Sequence, residues 1–389
     1  MTKAIPYGKH NITQADIDAI VNTLKSDFLT QGPKITEFEQ AFAEYVGAKF
    51  AVLVGNGTEA LHISALSLEV NNSSVVLTTP ITFAASANCV AYCGGKIDFV
   101  DIDPNTALMD LNALEQKLSS KPLGYYSGVI PVDFAGLPVD MERLKAIARK
   151  YNLWIIEDAC HAPGGYFVDS AGQKQYCGNG LFADLSVFSF HPVKHIACGE
   201  GGMITTNNET FYRKLCMLRT HGITKEPLLL QQNHGGWYYE MQDLGYNYRM
   251  PDILASLGIS QLSRVNEGIM RRIEIAKRYD EAFKNTPVNN NISKYREGNA
   301  YHLYIIQVAQ RKELYDFLRK HNIFAQVHYI PVHLMPYYRQ LGWKEGDFPV
   351  AENYYNHCLS LPMYPTLSIE EQIYVVKKIK DFLKTKIIE

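Results

Sequence analysis

The sequence predicts an α/β protein, with a large domain over residues 12–250 and a smaller one over 251–389. Three observations predict it. Short apolar runs alternate with helical patterns from residue 50 to about residue 190, as in a mostly parallel sheet with helices on both faces. The texture changes after Arg249-Met250-Pro251, where one long helical stretch replaces the alternation. At 389 residues the chain is long enough for two or three domains.

The elements follow in order. Thr13-Gln14-Ala15-Asp16 reads as a capping-box start, with Ile17, Ile20, Val21 and Leu24 at helical spacing. A second helix is expected from Thr36, with Phe38, Ala41, Phe42 and Tyr45 on one face. Buried strands are expected at 50–54, 75–77, 97–100, 129–132, 153–156 and 186–190. Helices are expected between them near 58–68, 84–92, 111–118 and 140–150. Pro251 suits the first position of a helix that runs to about Phe283, striped by Val265, Ile269, Ile273, Ala276 and Tyr279. Its basic residues Arg271, Arg272, Lys277 and Arg278 read as a solvated face. A polar segment, 285–298, leads into a β/α stretch rich in Tyr and His.

Composition excludes some partners. The formal net charge is −2, which gives no electrostatic case for nucleic acid or an anionic membrane. The first residues have no apolar core of signal-peptide length, and no run is long enough to span a bilayer. Seven cysteines, odd in number and without a CxxC pair, read as free thiols in a reducing cytoplasm.

The chemistry concentrates where apolar runs end. Ser186-Val187-Phe188-Ser189-Phe190-His191-Pro192-Val193-Lys194 carries a strand into a hydroxyl and a lysine. A lysine there is costly unless it has a charge partner or a chemical use. Schiff-base chemistry on the aldehyde of pyridoxal phosphate is one such use; the plainer reading is a strand cap pointing to solvent. Three other pieces match that cofactor. The turn Gly55-Asn56-Gly57-Thr58-Glu59 opens a helix after a strand, offering backbone N–H groups and the Thr58 hydroxyl to a phosphate. An ordinary strand–helix turn capped by Thr58 would look the same. Phe83 follows another strand and could stack on a pyridine, or simply be core. Asp158, in Ile155-Ile156-Glu157-Asp158-Ala159-Cys160-His161, could pair with a protonated pyridine nitrogen. His161 could then reach the ring hydroxyl, and Ser189 could add a second phosphate hydroxyl. A metal on Asp158 and His161 is the rival, without a third ligand nearby.

This order of phosphate turn, aromatic, Asp and Ser-x4-Lys resembles the sugar-nucleotide aminotransferases of the DegT/DnrJ/EryC1/StrS family, over essentially the whole length. Ile5-Pro6-Tyr7, the stretch from Lys25 through Pro33, and Gln326-Val327-His328-Tyr329-Ile330-Pro331-Val332-His333 resemble its pseudaminic-acid branch. The resemblance implies fold type I of the pyridoxal-phosphate enzymes: a large mixed-sheet α/β domain and a smaller C-terminal α+β domain, with residues 1–11 near the active site. It implies that Lys194 forms the Schiff base, Asp158 binds the pyridine nitrogen and Phe83 stacks on the ring. Gly57, Thr58 and Ser189 would hold the phosphate, with Asn247 reaching the phosphate of a neighbouring subunit in a homodimer with shared sites. His161 stands where many relatives have glutamine. Substrate positions would be Tyr7, Asp27, Phe28, Leu29, Thr30, Tyr248, Gln326, Val327, His328 and Tyr329.

The implied reaction carries the amino group of L-glutamate, released as 2-oxoglutarate, to C4 of a UDP-linked 4-keto-6-deoxy-N-acetylhexosamine. The product would be UDP-4-amino-4,6-dideoxy-N-acetyl-β-L-altrosamine. Relatives that act as sugar 3-dehydratases replace the lysine by histidine, and this chain keeps Lys194. Other readings are a different nucleotide-linked keto sugar (bacillosamine-type or dTDP-linked), a cofactor-binding regulator without turnover, and a metal-dependent sugar-modifying enzyme. No metal is expected. His333 reads as structural, and Cys198 as a buried structural thiol.

Overall fold

A computed structural model describes residues 4–387. Residues 1–3 of the expected N-terminal segment, and 388–389 of the expected C-terminal domain, lie outside the described residues. A seven-stranded sheet organises the fold, in the spatial order Phe50–Val54, Gly202–Thr206, Leu185–Ser189, Trp154–Asp158, Gly128–Ile130, Val75–Thr78, Lys96–Phe99. Gly202–Thr206 runs antiparallel to both neighbours, and the other adjacent pairs are parallel. Six strands therefore point their carboxyl ends to one edge. Val52, Leu77, Val129, Ile156 and Val187 are all fully buried. Helices cover both faces, so these strands read as continuous apolar runs rather than alternating ones.

The helices between the strands lie within a residue or so of their expected places, at Gly57–Ser67, Ala85–Tyr92, Leu111–Ser119 and Met141–Tyr151. The helix Gly57–Ser67 is capped by Asn56, whose side chain accepts from the Glu59 N–H, so Thr58 is not the cap.

Four expectations change. The Thr13 capping box forms and starts the helix Gln14–Leu24, but its apolar stripe faces outward: Ile17 is 45% exposed and Leu24 54%. Asp16 is the residue driven inward, where it accepts from Ser260 Oγ and Gln261 Nε2 and pairs with Arg264. The second helix starts at Pro33, not Thr36, because the Asp252 carboxylate accepts from the Gly32 and Lys34 N–H groups at its amino end. The long stretch after Pro251 is two helices, Asp252–Leu262 and Val265–Phe283, with Pro251 just ahead of the first. The break falls where Arg264 turns to reach Asp16 and the Asn11 carbonyl.

Arg272 is the fourth. It is 1% exposed, not solvated, and its Nη1 lies within hydrogen-bond reach of the carbonyls of Tyr301, His302 and Met363. Burial lowers its pKa to about 10. The carbonyls compensate the guanidinium as they gather two distant segments around it.

Beyond residue 300 a short antiparallel pair, Tyr304–Gln307 with Cys358–Leu361, packs with the helices Val265–Phe283, Arg311–Lys320 and Ile369–Ile387 around a second core. Ile5–Pro6 pairs in parallel with Ile323–Phe324. That pairing fixes the direction of Tyr7, the next residue.

Candidate active site

The carboxyl edge of a doubly wound sheet is where ligands gather. Here it opens into a cavity of about 740 Å³. The strand ends supply its walls: Gly57 and Thr58 after Phe50–Val54, Phe83 after Val75–Thr78, Asp158 itself, and Ser189 with Lys194 after Leu185–Ser189. Tyr7, His161, Tyr248, His328 and Tyr329 complete the sequence-expected residues that line it.

The phosphate-sized end is tightly built. The N–H groups of Gly57 and Thr58 precede the first intrahelical bond, from Ala60 N to the Asn56 carbonyl, so they and the helix dipole face an incoming anion. A Cβ added to Gly57 would lie 3.1 Å from Ser189 Cβ, and one added to Gly202 only 2.4 Å from the Asn56 carbonyl oxygen. Glycine is what lets this turn approach its neighbours. Glu59 caps the opposite side, accepting from Gly55 N and Asn56 Nδ2. Burial raises its pKa, against those hydrogen bonds.

Lys194 sits half-buried in the wall, and its amine makes no hydrogen bond or ion pair among the described residues. Burial lowers its pKa, with Cys160 and Asp158 pulling the other way. Asp158 is firmly held. Its Oδ2 accepts from Ser86 Oγ at 2.6 Å and its Oδ1 from Cys160 N at 3.2 Å. A half-buried, unpaired amine, an oriented carboxylate and an anion cradle around one cavity fit pyridoxal phosphate. Lys194 would hold the aldehyde carbon, Asp158 the pyridine nitrogen, and the Gly57–Thr58 turn with Ser189 the phosphate. Phe83 is 62% exposed, so it is wall rather than core.

A histidine cluster flanks Lys194. The rings of His161 and His302 lie 4.2 Å apart, and those of His302 and His195 5.8 Å. Burial first, with Lys194 among the further causes, holds the pKa values of all three well below the usual range. His328 is lowered to about 3 for the same reasons. It hydrogen-bonds Ser360 Oγ through Nδ1 at 2.8 Å. Burial raises Tyr329 and Tyr7.

Seven expected residues do not line the cavity: residues 27–30, Asn247, Gln326 and Val327. Asp27, Phe28, Leu29 and Thr30 are exposed, and the first two border a separate cavity of about 410 Å³ beside Lys34 and Ser256. Asn247 is exposed and bridges to Thr220. Gln326 bridges to Ser360, and its side chain accepts from the Val327 N–H. His333 is buried elsewhere, 3.0 Å from Glu352. Cys198 is buried in the core beside Phe190 and Met203.

Sequence reasoning missed Ser86, His62, Tyr92, Glu200 and His302, which also line the cavity. Only long-range packing places them. Ser86 had one local hint, its spacing of four from Thr82, whose hydroxyl is 2.8 Å away.

The family model described as the DegT/DnrJ/EryC1/StrS aminotransferase family matches residues 10–380. Spore coat polysaccharide biosynthesis protein SpsC of Bacillus subtilis is 37% identical over 389 residues, covering 98% of this chain and 97% of that protein. The UDP-4-amino-4,6-dideoxy-N-acetyl-beta-L-altrosamine transaminase of Campylobacter jejuni serotype O:2 is 38% identical over 380 residues, covering 95% of each. Helicobacter pylori PseC, an aminotransferase involved in the biosynthesis of pseudoaminic acid, has a similar structure. Its TM-score is 0.88 at 29% identity, over 98% of this chain and 100% of that one. The cofactor is pyridoxal phosphate, in agreement with the donor set of the cavity. The chain belongs to the DegT/DnrJ/EryC1/StrS family and is a sugar aminotransferase.

Proposed function

We propose that this aminotransferase moves the amino group of L-glutamate to C4 of a UDP-linked 4-keto-6-deoxy-N-acetylhexosamine. The product is UDP-4-amino-4,6-dideoxy-N-acetyl-β-L-altrosamine, a precursor of pseudaminic acid. One observation carries the assignment of roles: Lys194, Asp158, Ser189 and the Gly57–Thr58 turn converge on one cavity from separate strand ends. Whole-length similarity to the Campylobacter transaminase and to PseC supports the acceptor. SpsC, comparably similar, is named for spore coat polysaccharide biosynthesis, which leaves a second reading, in which the acceptor is another nucleotide-linked keto sugar, such as one of the bacillosamine or dTDP type.

Bound pyridoxal phosphate supplies an electron sink and a carbon that carries the amino group between the two substrates. The chain does the rest. Gly57 N–H, Thr58 N–H and the hydroxyls of Thr58 and Ser189 hold the phosphate, and Phe83 covers the ring. Asp158, oriented by Ser86 and the Cys160 N–H, keeps the pyridine nitrogen protonated. Burial works against the charge of Lys194, and its amine, once released by the donor, would take the proton from the donor's Cα at Nζ and hand it to the carbon that carries the amino group. Tyr7, Tyr248 and His328 bind the sugar and its diphosphate, with Tyr329 behind them against His161.

The working unit is a homodimer. Ile17, Leu24, Phe28 and Leu29 leave an apolar stripe exposed at one end of the chain, as expected of a covered surface. The partner subunit's Asn247 would then reach the phosphate, and residues 27–30 would serve the opposite site. Gln326 and Val327 act by fixing the backbone beneath His328. Seven free cysteines support a reducing, cytoplasmic setting.

The decisive test offers purified enzyme L-glutamate and a panel of UDP- and dTDP-linked 4-keto sugars, with products identified by NMR. Amination of the altrosamine precursor at C4, well above the others, supports the proposal. Preference for a different keto sugar selects the second reading. Uptake of the cofactor with no 2-oxoglutarate released from any acceptor would leave a non-catalytic binder.

A further inference from the structure

The polarity of every hydrogen bond around His161 is fixed. The Ala135 N–H donates to Nδ1 at 3.3 Å, and a backbone N–H has only a proton to give. Nδ1 is therefore the bare nitrogen. The ring is 4% exposed, and burial together with the charge of Lys194 keeps it neutral. A neutral imidazole with Nδ1 bare carries its proton on Nε2. Nε2 lies 3.1 Å from the Tyr329 hydroxyl, so the imidazole donates and the tyrosine oxygen accepts. The hydroxyl keeps its own proton, since burial raises its pKa, reinforced by Tyr7 and Asp158. That proton has no other acceptor among the described residues, and Tyr329 lines the cavity. Its ring stands 6.3 Å from that of Phe83.

We propose that His161 is a positioning residue that commits the Tyr329 hydroxyl to donate into the cavity, and that its acceptor is the anionic ring oxygen of the bound cofactor. The inference rests on the cofactor reading of this cavity and deepens it. It also changes the part of His161. Both ring nitrogens are already engaged, so His161 cannot donate to the ring oxygen without releasing Tyr329. The acceptor that fits best is an oxygen with negative charge, since an ionised acceptor makes the stronger hydrogen bond, close to Lys194, which lines the same cavity as Tyr329. The ring oxygen, next to the carbon that Lys194 holds, meets both demands.

The test reads the bound cofactor's visible absorbance against pH. The proton that titrates in that colour change is one the ring oxygen helps to hold. A second donor on that oxygen weakens its grip and lowers the midpoint. Tyr329→Phe removes one oxygen atom and should raise the midpoint by about one pH unit, a tenfold change in proton affinity. His161→Leu should move it the same way, and the double variant should add nothing further, since both changes break one relay. His161→Gln should restore the wild-type midpoint, because the amide oxygen accepts from Ala135 N–H while the amide nitrogen donates to Tyr329. An unmoved midpoint in cofactor-loaded Tyr329→Phe overturns the proposal. So does a full His161→Leu shift that persists on top of Tyr329→Phe, which would mean direct contact by His161. If His161→Leu fails to fold, Tyr329→Phe and His161→Gln still decide. A wild-type protein that takes up no colour at all would instead defeat the cofactor reading itself.

Discussion

Ser86 Oγ donates to Asp158 Oδ2 at 2.6 Å, across 72 residues of sequence. A carboxylate only accepts and a serine hydroxyl has one proton, so the 2.8 Å contact between Thr82 and Ser86 must run from Thr82 to Ser86. The chain Thr82–Ser86–Asp158 is thus directional and ends on the carboxylate. Ser86→Ala removes a hydrogen bond to a charged group, worth about 1.5 kcal/mol or more. Turnover should fall about tenfold or more, with the cofactor retained by absorbance. Unchanged turnover would show that the Cys160 N–H alone suffices to orient Asp158.

On the roles proposed for it, Lys194→Ala removes both the tether and the proton carrier. Turnover should drop by about three orders of magnitude or more. Borohydride reduction of the loaded wild-type enzyme, followed by peptide mapping, should place the label on Lys194. A label on another lysine would dismiss this assignment.

Shared sites predict complementation. Lys194→Ala and an inactive Asn247→Asp variant, mixed under subunit exchange, yield heterodimers with one doubly damaged site and one intact site. Activity should reappear to about half the wild-type level per heterodimer. If Asn247 serves its own chain's site, activity stays at the level of the parents even when mass tags confirm exchange.

Stability should depend on pH through the buried histidines. His161, His195, His302 and His328 have folded pKa values below the ordinary 6.5. Well above that value both folded and unfolded states leave them neutral and nothing is lost. As pH falls below it, the unfolded chain takes up protons that the folded chain refuses. Each histidine then costs up to about 1.4 kcal/mol per pH unit. Asp133 and Glu157, raised by burial, work in the opposite sense at low pH. Chemical denaturation at pH 7.5, 6.5 and 5.5 should show stability falling across both steps, and more steeply across the second. His302→Asn should flatten that fall by about 1.4 kcal/mol per pH unit at most. A fall that His302→Asn leaves untouched would mean that this ring is protonated in the folded chain.

Strand ends were the most readable part of the sequence. Runs such as Val52-Leu53-Val54 and Ile155-Ile156 are apolar without alternation because both faces of the sheet are covered, and chemistry-bearing residues stand where they stop. Position along a strand is local information. What local patterns could not show was which side of an element meets another. Ile17 and Leu24 have helical spacing, yet that helix turns its buried side by a polar hook, Asp16 to Arg264 and Ser260. Arg272 looked like one of four surface cations because its three carbonyl partners are 29 to 91 residues away. His302 and Tyr92 reach the cavity by packing alone, and no spacing announces them.

The grip of Arg272 on residues 301 and 302 has a kinetic reading. The same short segment is bound on its other side. Ala300 N donates to the Gly136 carbonyl and Leu303 N to the Ala135 carbonyl, while Tyr301 N is held by Asn299 Oδ1. These amides sit in a loop, where hydrogen exchange is usually fast, but none of them can open alone. Releasing one means pulling His302 from beside His161 and exposing a buried guanidinium. Their deuterium uptake should therefore track global unfolding, as slow as that of the central strands. The histidine wall beside Lys194 is in that sense set when the chain folds, before any substrate arrives.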